Sequence, residues 1–265
     1  MEFVKMQGLG NDFIFIDRMN GKFTDDPGAL AKRLCARGIS VGADGLVLLL
    51  PSEIADVRMR MFNPDGSEAE MCGNAARCVA KYLFDRGRLS GSSLSVDTPA
   101  GIRRMIIQIQ NGKMQSASVD MGAPQSLGEV RLPVNGTNAV FHKVSTGNPH
   151  AVTWSVWPDD ETFFRCGPRI ERNPCFPEGA NVEFCRILSR DHIEVRVWER
   201  GAGATLACGT GATAAFFACR QANLVDASAT VTLPGGDLQF ELPDDGHVRM
   251  TGPAEEIYRA EINNL

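Results

Sequence analysis

The residues able to do acid–base chemistry in this sequence come as a matched pair. Cys72 opens Cys72-Gly73-Asn74-Ala75-Ala76, and Cys208 opens Cys208-Gly209-Thr210-Gly211-Ala212. Nine residues before them stand Asn63 and Glu199, ten before them Phe62 and Trp198, and twelve before them Arg60 and Arg196. Farther upstream, Gly42-Ala43-Asp44 begins 30 residues before Cys72, and Gly179-Ala180-Asn181 begins 29 before Cys208. Gly10-Asn11 precede the first cysteine by 62 and 61 residues, and Gly147-Asn148 precede the second by 61 and 60. Landmarks that keep their order and nearly their spacing mark an internal duplication, with an offset of about 136 residues.

Two thiols related in this way suit one kind of reaction. Inverting a stereocentre by proton transfer removes hydrogen from one face of a carbon and returns it to the other. That needs one group deprotonated and its counterpart protonated, and a thiolate/thiol pair supplies both with monoprotic groups tunable toward neutral pH. The scheme calls for no cofactor and no metal. The cysteine spacing offers no C-x-x-C pair and no zinc pattern.

The elements that must hold these thiols are legible around them. Val57-Arg58-Met59-Arg60-Met61-Phe62 alternates apolar and charged, as a half-buried strand does, and Ile193–Trp198 is its counterpart. Asn63-Pro64-Asp65-Gly66 is a turn, and Gly201-Ala202-Gly203-Ala204 a loop. Helices are then expected from about Cys72 to Asp85 and from about Cys208 to Gln221. The second is apolar almost all round, so a curved sheet must enclose it. Both cysteines therefore fall at helix N-termini, where unpaired N–H groups and the positive dipole end ease thiol ionisation and can dock a carboxylate. One surface helix is also clear, with Asp26 as its cap, Pro27 at its first position, and Gly38 beyond its end. Strands are expected at Arg104–Ile109 and Ala229–Leu233. The duplication divides the chain into halves of about 1–118 and 119–254, with the last residues, about 255–265, able to join the first.

These stretches resemble diaminopimelate epimerases over essentially the whole length. The resemblance rests on Gly8–Phe13, Gly42–Gly45, Asn63–Ser67 leading to Met71–Arg77, Gly147–His150, Gly179–Val182, and Glu199–Gly201 leading to Ala207–Gly211. It implies an α+β fold of two pseudo-symmetric domains, each a curved, mostly antiparallel sheet wrapped around a central helix. It implies Cys72 and Cys208 as the acid/base pair, and Gly73, Asn74, Gly209 and Thr210 as the cradle for the reacting carboxylate. Glu199 is expected to hold the reacting ammonium. Asn63, Asn148, Asn181 and Arg200 are expected to hold the distal end, with Asn11 a further contact and His150 beside the site. The substrate would be diaminopimelate, LL converted to meso, in lysine and cell-wall precursor synthesis. Family members differ at the positions of Met71, Ala75 and Ala204, which bears on how each thiol is tuned.

Bulk properties fit this reading. Apolar residues make up 43% and charged residues 22%, as in soluble globular proteins, and the net charge of −5 without a basic run argues against nucleic acid. No stretch is long and apolar enough to span a membrane, and Met1–Lys5 does not open like a secretory signal, so a cytoplasmic location is expected. A homodimer is compatible with the sequence. Of the eight cysteines, the six besides Cys72 and Cys208 read as small buried hydrophobes. His142, His192 and His247 read as structural. The loose dinucleotide pattern at Gly209–Ala214 lacks a strand directly before it. Three alternatives stand beside the epimerase. A proline or hydroxyproline racemase typically has His where this chain has Asn74, a phenazine-type isomerase lacks the cysteine pair, and a binding or thiol redox protein would exchange no substrate proton.

Overall fold

A computed structural model describes residues 1–21, 23–89 and 91–263. The first run of the chain forms β1 (Glu2–Gly8), β2 (Asn11–Asp17), α1 (Pro27–Leu34), β3 (Gly45–Leu50), β4 (Val57–Phe62) and β5 (Glu68–Ala69). It continues with α2 (Gly73–Asp85), β6 (Ser93–Thr98), β7 (Gly101–Gln110) and β8 (Lys113–Asp120). The second run forms β9 (Gln125–Val134), β10 (Thr137–Ser145), β11 (Pro149–Thr153), α3 (Asp160–Glu171), β12 (Asn181–Ser189), β13 (His192–Glu199) and β14 (Gly203–Ala204). Then come α4 (Gly209–Gln221), β15 (Ser228–Leu233), β16 (Gly236–Glu241), β17 (Arg249–Gly252) and β18 (Glu255–Glu261). Two compact units result, Met1–Val119 with Gly252–Leu265, and Asp120–Thr251. Residues 264 and 265 of the terminal segment lie outside the described residues.

In the first unit the strands pair in the order β18-β1-β2-β3-β4-β6-β7-β8, with β5 folded back on β4. Pairing is antiparallel except at β2–β3 and β4–β6. In the second unit the order is β9-β10-β11-β12-β13-β15-β16-β17, with β14 on β13 and parallel pairing at β11–β12 and β13–β15. The two sheets thus share one strand order and one pattern of directions, which makes the fold an α+β duplication. β18, antiparallel to β1, occupies the place that β9 holds beside β10.

The strands beneath the helices are covered on both faces, which is why β2 and β3 read as nearly unbroken apolar runs. Ile14, Ile16, Leu46 and Leu48 pack with Leu30, Ala31 and Leu34 of α1. Side chains alternate along a strand, so Phe13 and Phe15 face the other way; there Phe15 stacks on Tyr82 of α2 at 6.1 Å. In the second unit α4 packs against β10, β11, β12, β13 and β15, and Gly209 and Gly211–Cys219 are buried. A helix apolar on all sides is stable only inside such a wrapping.

The structure adds to the sequence reading in two places. α3 is a second surface helix, the counterpart of α1, where the sequence marks only one. Its Asp159 cap accepts from Thr162 N at 2.8 Å, but Pro168 lies inside it and disguises the pattern. The loop after Glu199 is partly strand: Gly203 and Ala204 pair with Glu199 and Trp198. Among the described residues no helix is long and apolar enough to cross a membrane.

Candidate active site

In the first unit Cys72 is the N-cap of α2 and half-buried, with extended backbone (φ −140°). Gly73 and Asn74 form the start of the helix, whose first-turn amides carry the positive end of the dipole. Asn11, at the start of β2, is turned toward them. Its Oδ1 accepts from Asn74 Nδ2 at 3.0 Å and faces Cys72 Sγ at 3.9 Å. Its Nδ2 donates to Asp44 Oδ2 at 2.9 Å, which fixes the amide orientation. Asp44 also accepts from Asp12 N at 3.1 Å and from Arg37 at 2.7 Å, and Lys5 pairs with Asp12 at 2.6 Å. Burial pushes the Asp12 carboxyl up, but hydrogen bonds and charge from Lys5 and Arg37 outweigh it and hold Asp12 below its ordinary range. Asn63 stands at the end of β4, where its Nδ2 donates to Ser67 Oγ at 3.0 Å. Arg77, one turn into α2, is fully buried. Its Nε donates to Pro253 O at 3.0 Å, burial lowers its pKa to about 10, and the Cys78 and Cys72 thiols oppose that lowering.

The second unit repeats the layout with different groups. Cys208 is the N-cap of α4, is 5% exposed, and accepts from Gly211 N at 3.4 Å. Its sulfur lies 3.5 Å from Thr210 Oγ1. The sequence leads one to expect a thiol that ionises easily, and here the structure differs. Burial, then the charge of Glu199, holds Cys208 well above the usual thiol range, while hydrogen bonds from Thr210 and Gly211 pull the other way and lose. Glu199 ends β13 and accepts from Thr205 Oγ1 at 2.5 Å. Arg200 follows, with its backbone N donating to Asn181 Oδ1 at 2.9 Å and its guanidinium to Glu178 O at 3.0 Å. Asn181 begins β12 and reaches Pro149 O at 3.4 Å. Asn148 and His150 flank the start of β11, 3.0 Å apart through Oδ1 and Nε2.

Three further positions hold the site residues in place: Asp44, known from the sequence only as part of a repeated landmark, and Glu171 and Glu183, which it does not single out. Asp44 orients Asn11, as described. Glu171, the last residue of α3, accepts from Trp198 Nε1 at 2.8 Å and Gly201 N at 3.0 Å, clamping both sides of the Glu199-Arg200 corner. Glu183, fully buried on β12, bonds His150 Nδ1 at 2.8 Å. The signal for Glu183 was a single charge within the run Val182-Glu183-Phe184-Cys185; a charged residue in a run buried on both faces needs a partner. Of the remaining cysteines, Cys35, Cys78, Cys166, Cys185 and Cys219 are buried, with burial raising Cys35 to about 11 and Cys78 to about 12, while Cys175 is only half-buried.

Comparison with known proteins agrees with this layout. The family model described as diaminopimelate epimerase matches residues 3–127 and 142–257. A diaminopimelate epimerase of Desulforudis audaxviator is 48% identical over 273 residues, covering 97% of this chain and 98% of the relative. One of Moorella thermoacetica is 45% identical over 277 residues, covering 99% of each. A solved hydroxyproline epimerase from Agrobacterium vitis superposes with a TM-score of 0.76 at 16% identity, over 98% of this chain and 91% of that one, which is a likeness of fold. With a match to both halves and close identity along nearly the whole length, the chain belongs to the diaminopimelate epimerase family.

Proposed function

We propose that this protein epimerises diaminopimelate, LL to meso, by two-base proton transfer between Cys72 and Cys208. The observation that carries the reading is that each cysteine caps a thirteen-residue central helix at the same place in two units of one topology. A reaction that inverts a carbon is symmetric about it, and duplicated half-sites suit that symmetry.

In this scheme a thiolate takes the α-proton. The C–H bond breaks, and its electron pair stays on the α-carbon as carbanion character beside the carboxylate. The opposite thiol delivers its proton to the other face and becomes the thiolate. The sulfurs must therefore reach opposite faces of one carbon. One cysteine starts as the thiolate base and the other as the thiol acid; at Cys208 burial and the charge of Glu199 favour the thiol. First-turn amides at Gly73-Asn74 and Gly209-Thr210 receive the reacting carboxylate and stabilise the added charge. Glu199 takes the ammonium. Asn63, Asn148, Asn181 and Arg200 hold the distal head group, and Asn11 contributes a further contact. A planar guanidinium with fixed amides grips a carboxylate in a defined geometry, which keeps the far stereocentre from being read as the near one.

The scheme itself requires no cofactor. It describes a biosynthetic enzyme of the cytoplasm, and a homodimer is compatible with it. Incubation of LL-diaminopimelate in deuterated water tests it. Solvent deuterium should enter at one α-carbon, with proline and hydroxyproline unlabelled. Binding of diaminopimelate without label, or label in proline instead, overturns the reading.

A further inference from the structure

We propose that Glu183 is a positioning residue. Through His150 it fixes the side-chain amide of Asn148 with Oδ1 turned inward and Nδ2 presented to the substrate's distal carboxylate. The second half of this statement rests on the role given to Asn148 above.

With the Asn148 amide placed Oδ1 inward, the hydrogen-bond geometry points to one proton arrangement. Thr146 Oγ1 donates to Asn148 Oδ1 at 2.9 Å, so its one hydroxyl proton is committed. His150 Nε2 lies 3.0 Å from both Thr146 Oγ1 and Asn148 Oδ1. Oδ1 has no proton to give, and the hydroxyl has spent its own, so Nε2 must be the donor. On the other side of the ring, Nδ1 meets Glu183 Oε1 at 2.8 Å, and that contact needs one proton between them. The pair therefore holds two protons and no net charge. Both side chains are 0% exposed, and burial raises the Glu183 carboxyl despite the opposing pull of His150. The form that suits this site is a carboxylic acid donating to Nδ1, with the ring proton on Nε2. Oδ1 of Asn148 then receives two hydrogen bonds, and its Nδ2 is left to point elsewhere. Asn148 also lines a cavity of about 340 Å³ with Ser145, Pro177 and Gly179.

The duplication shows that this buried polar pair is no requirement of the fold. Asn11 aligns with Asn148 and Phe13 with His150 at an offset of 137 residues, and in the next strand, where Val47 pairs with Met61 as Glu183 pairs with Val197, Glu183 corresponds to Val47. The first unit closes over the same places with apolar side chains, both 0% exposed. The helix facing them tells the same story. Gly211 of α4 corresponds to Ala75 of α2. A Cβ at Gly211 would stand 2.7 Å from Glu183 Oε1 and 3.3 Å from Cys208 Sγ, so the glycine makes room for the carboxyl beside the thiol. A group that the fold does not need, that burial penalises, and for which the helix gives up a side chain is retained for what it orients.

Nitrogen-15 spectra of labelled histidine in the substrate-free protein test the proton placement without reference to substrate. At neutral pH His150 should carry its proton on Nε2, and an unprotonated Nε2 overturns the proposal even where variants fail to fold. Kinetics test the consequence. In Glu183→Gln the amide can still donate to Nδ1, and KM for diaminopimelate should stay within about twofold. Glu183→Leu, apolar as Val47 is in the first unit, removes the donor and should raise KM about tenfold with kcat within about twofold. Added to Asn148→Ala, Glu183→Leu should raise KM no further. Equal KM values in wild type, Gln and Leu variants overturn the positioning role. An unchanged KM in Asn148→Ala sinks the substrate half, together with the distal assignment of Asn148, while the nitrogen spectra judge the proton on their own.

Discussion

Cys208 keeps its proton because of where α4 puts it: beneath the sheet, with Glu199 and Glu183 near. Two outcomes follow for single residues. Glu199→Gln removes the carboxylate charge that, after burial, does most to raise Cys208, so the pH midpoint for alkylation of Cys208, followed by mass mapping, should move down; an upward or absent shift contradicts the electrostatic account. Stability carries the same sign. A thiol whose folded pKa exceeds the ordinary 9.0 costs nothing below that pH, and stabilisation is lost as pH climbs toward the folded value. Cys35, at about 11, and Cys78, at about 12, add to Cys208 in this direction. Melting temperature should therefore fall between about pH 9 and pH 11, and Cys78→Ala should lessen that slope. A flat profile in wild type would show that the buried thiols do not couple ionisation to folding.

At the scale of elements, what could be read in advance followed from repetition and capping. The strands ending in Phe62 and Trp198 and the helices behind Cys72 and Cys208 declare themselves because period, turn and helix start recur twice. α1 declares itself through Asp26, whose side chain accepts from Gly28 N at 2.9 Å and Ala29 N at 3.3 Å. α3 does not, because Pro168 breaks its pattern, and the tertiary contact that rescues it is distant in sequence. Glu171 is invisible for the same reason: only folding brings it to Trp198 and Gly201. Helix-end stabilisation of a Cys208 thiolate is local and legible, whereas its burial and the charge of Glu199 come from folding. The α3 seat can be tested directly. A Cβ at Gly167 would lie 2.6 Å from the Trp198 ring, so Gly167→Ala should destabilise by about 1–3 kcal/mol in denaturant unfolding. Because Trp198 leads into Glu199-Arg200, the same change should raise KM for diaminopimelate; unaltered stability and KM would mean that the corner does not depend on α3.

For the whole molecule, the shared strand order says what each unit needs in order to be complete. β9 enters β10 through Asn135-Gly136, both at positive φ (48° and 80°), the pair of left-handed residues that a tight two-residue hairpin requires. In the first unit β18 fills the corresponding place beside β1, from a later part of the chain. The pairing runs to the tip, where Met1 N donates to Ile262 O at 2.5 Å and Ile262 N donates to Met1 O at 2.9 Å. The segment carries more than an edge: Pro253 O accepts from buried Arg77, and Glu256 pairs with Arg86 at 3.0 Å. Residues 1–119 alone would leave a buried guanidinium short of an acceptor and β1 with one open edge, a combination costing several kcal/mol. A rearranged chain running 252–262, then Asn-Gly, then 1–119 restores both with the turn that the second unit already uses. We expect this chain to fold on its own, with a cooperative thermal transition by circular dichroism, and residues 1–119 alone to show none. If the two behave alike, β18 is not the missing ninth strand of the first unit, and the equivalence between β18 and β9 is one of position without consequence for folding.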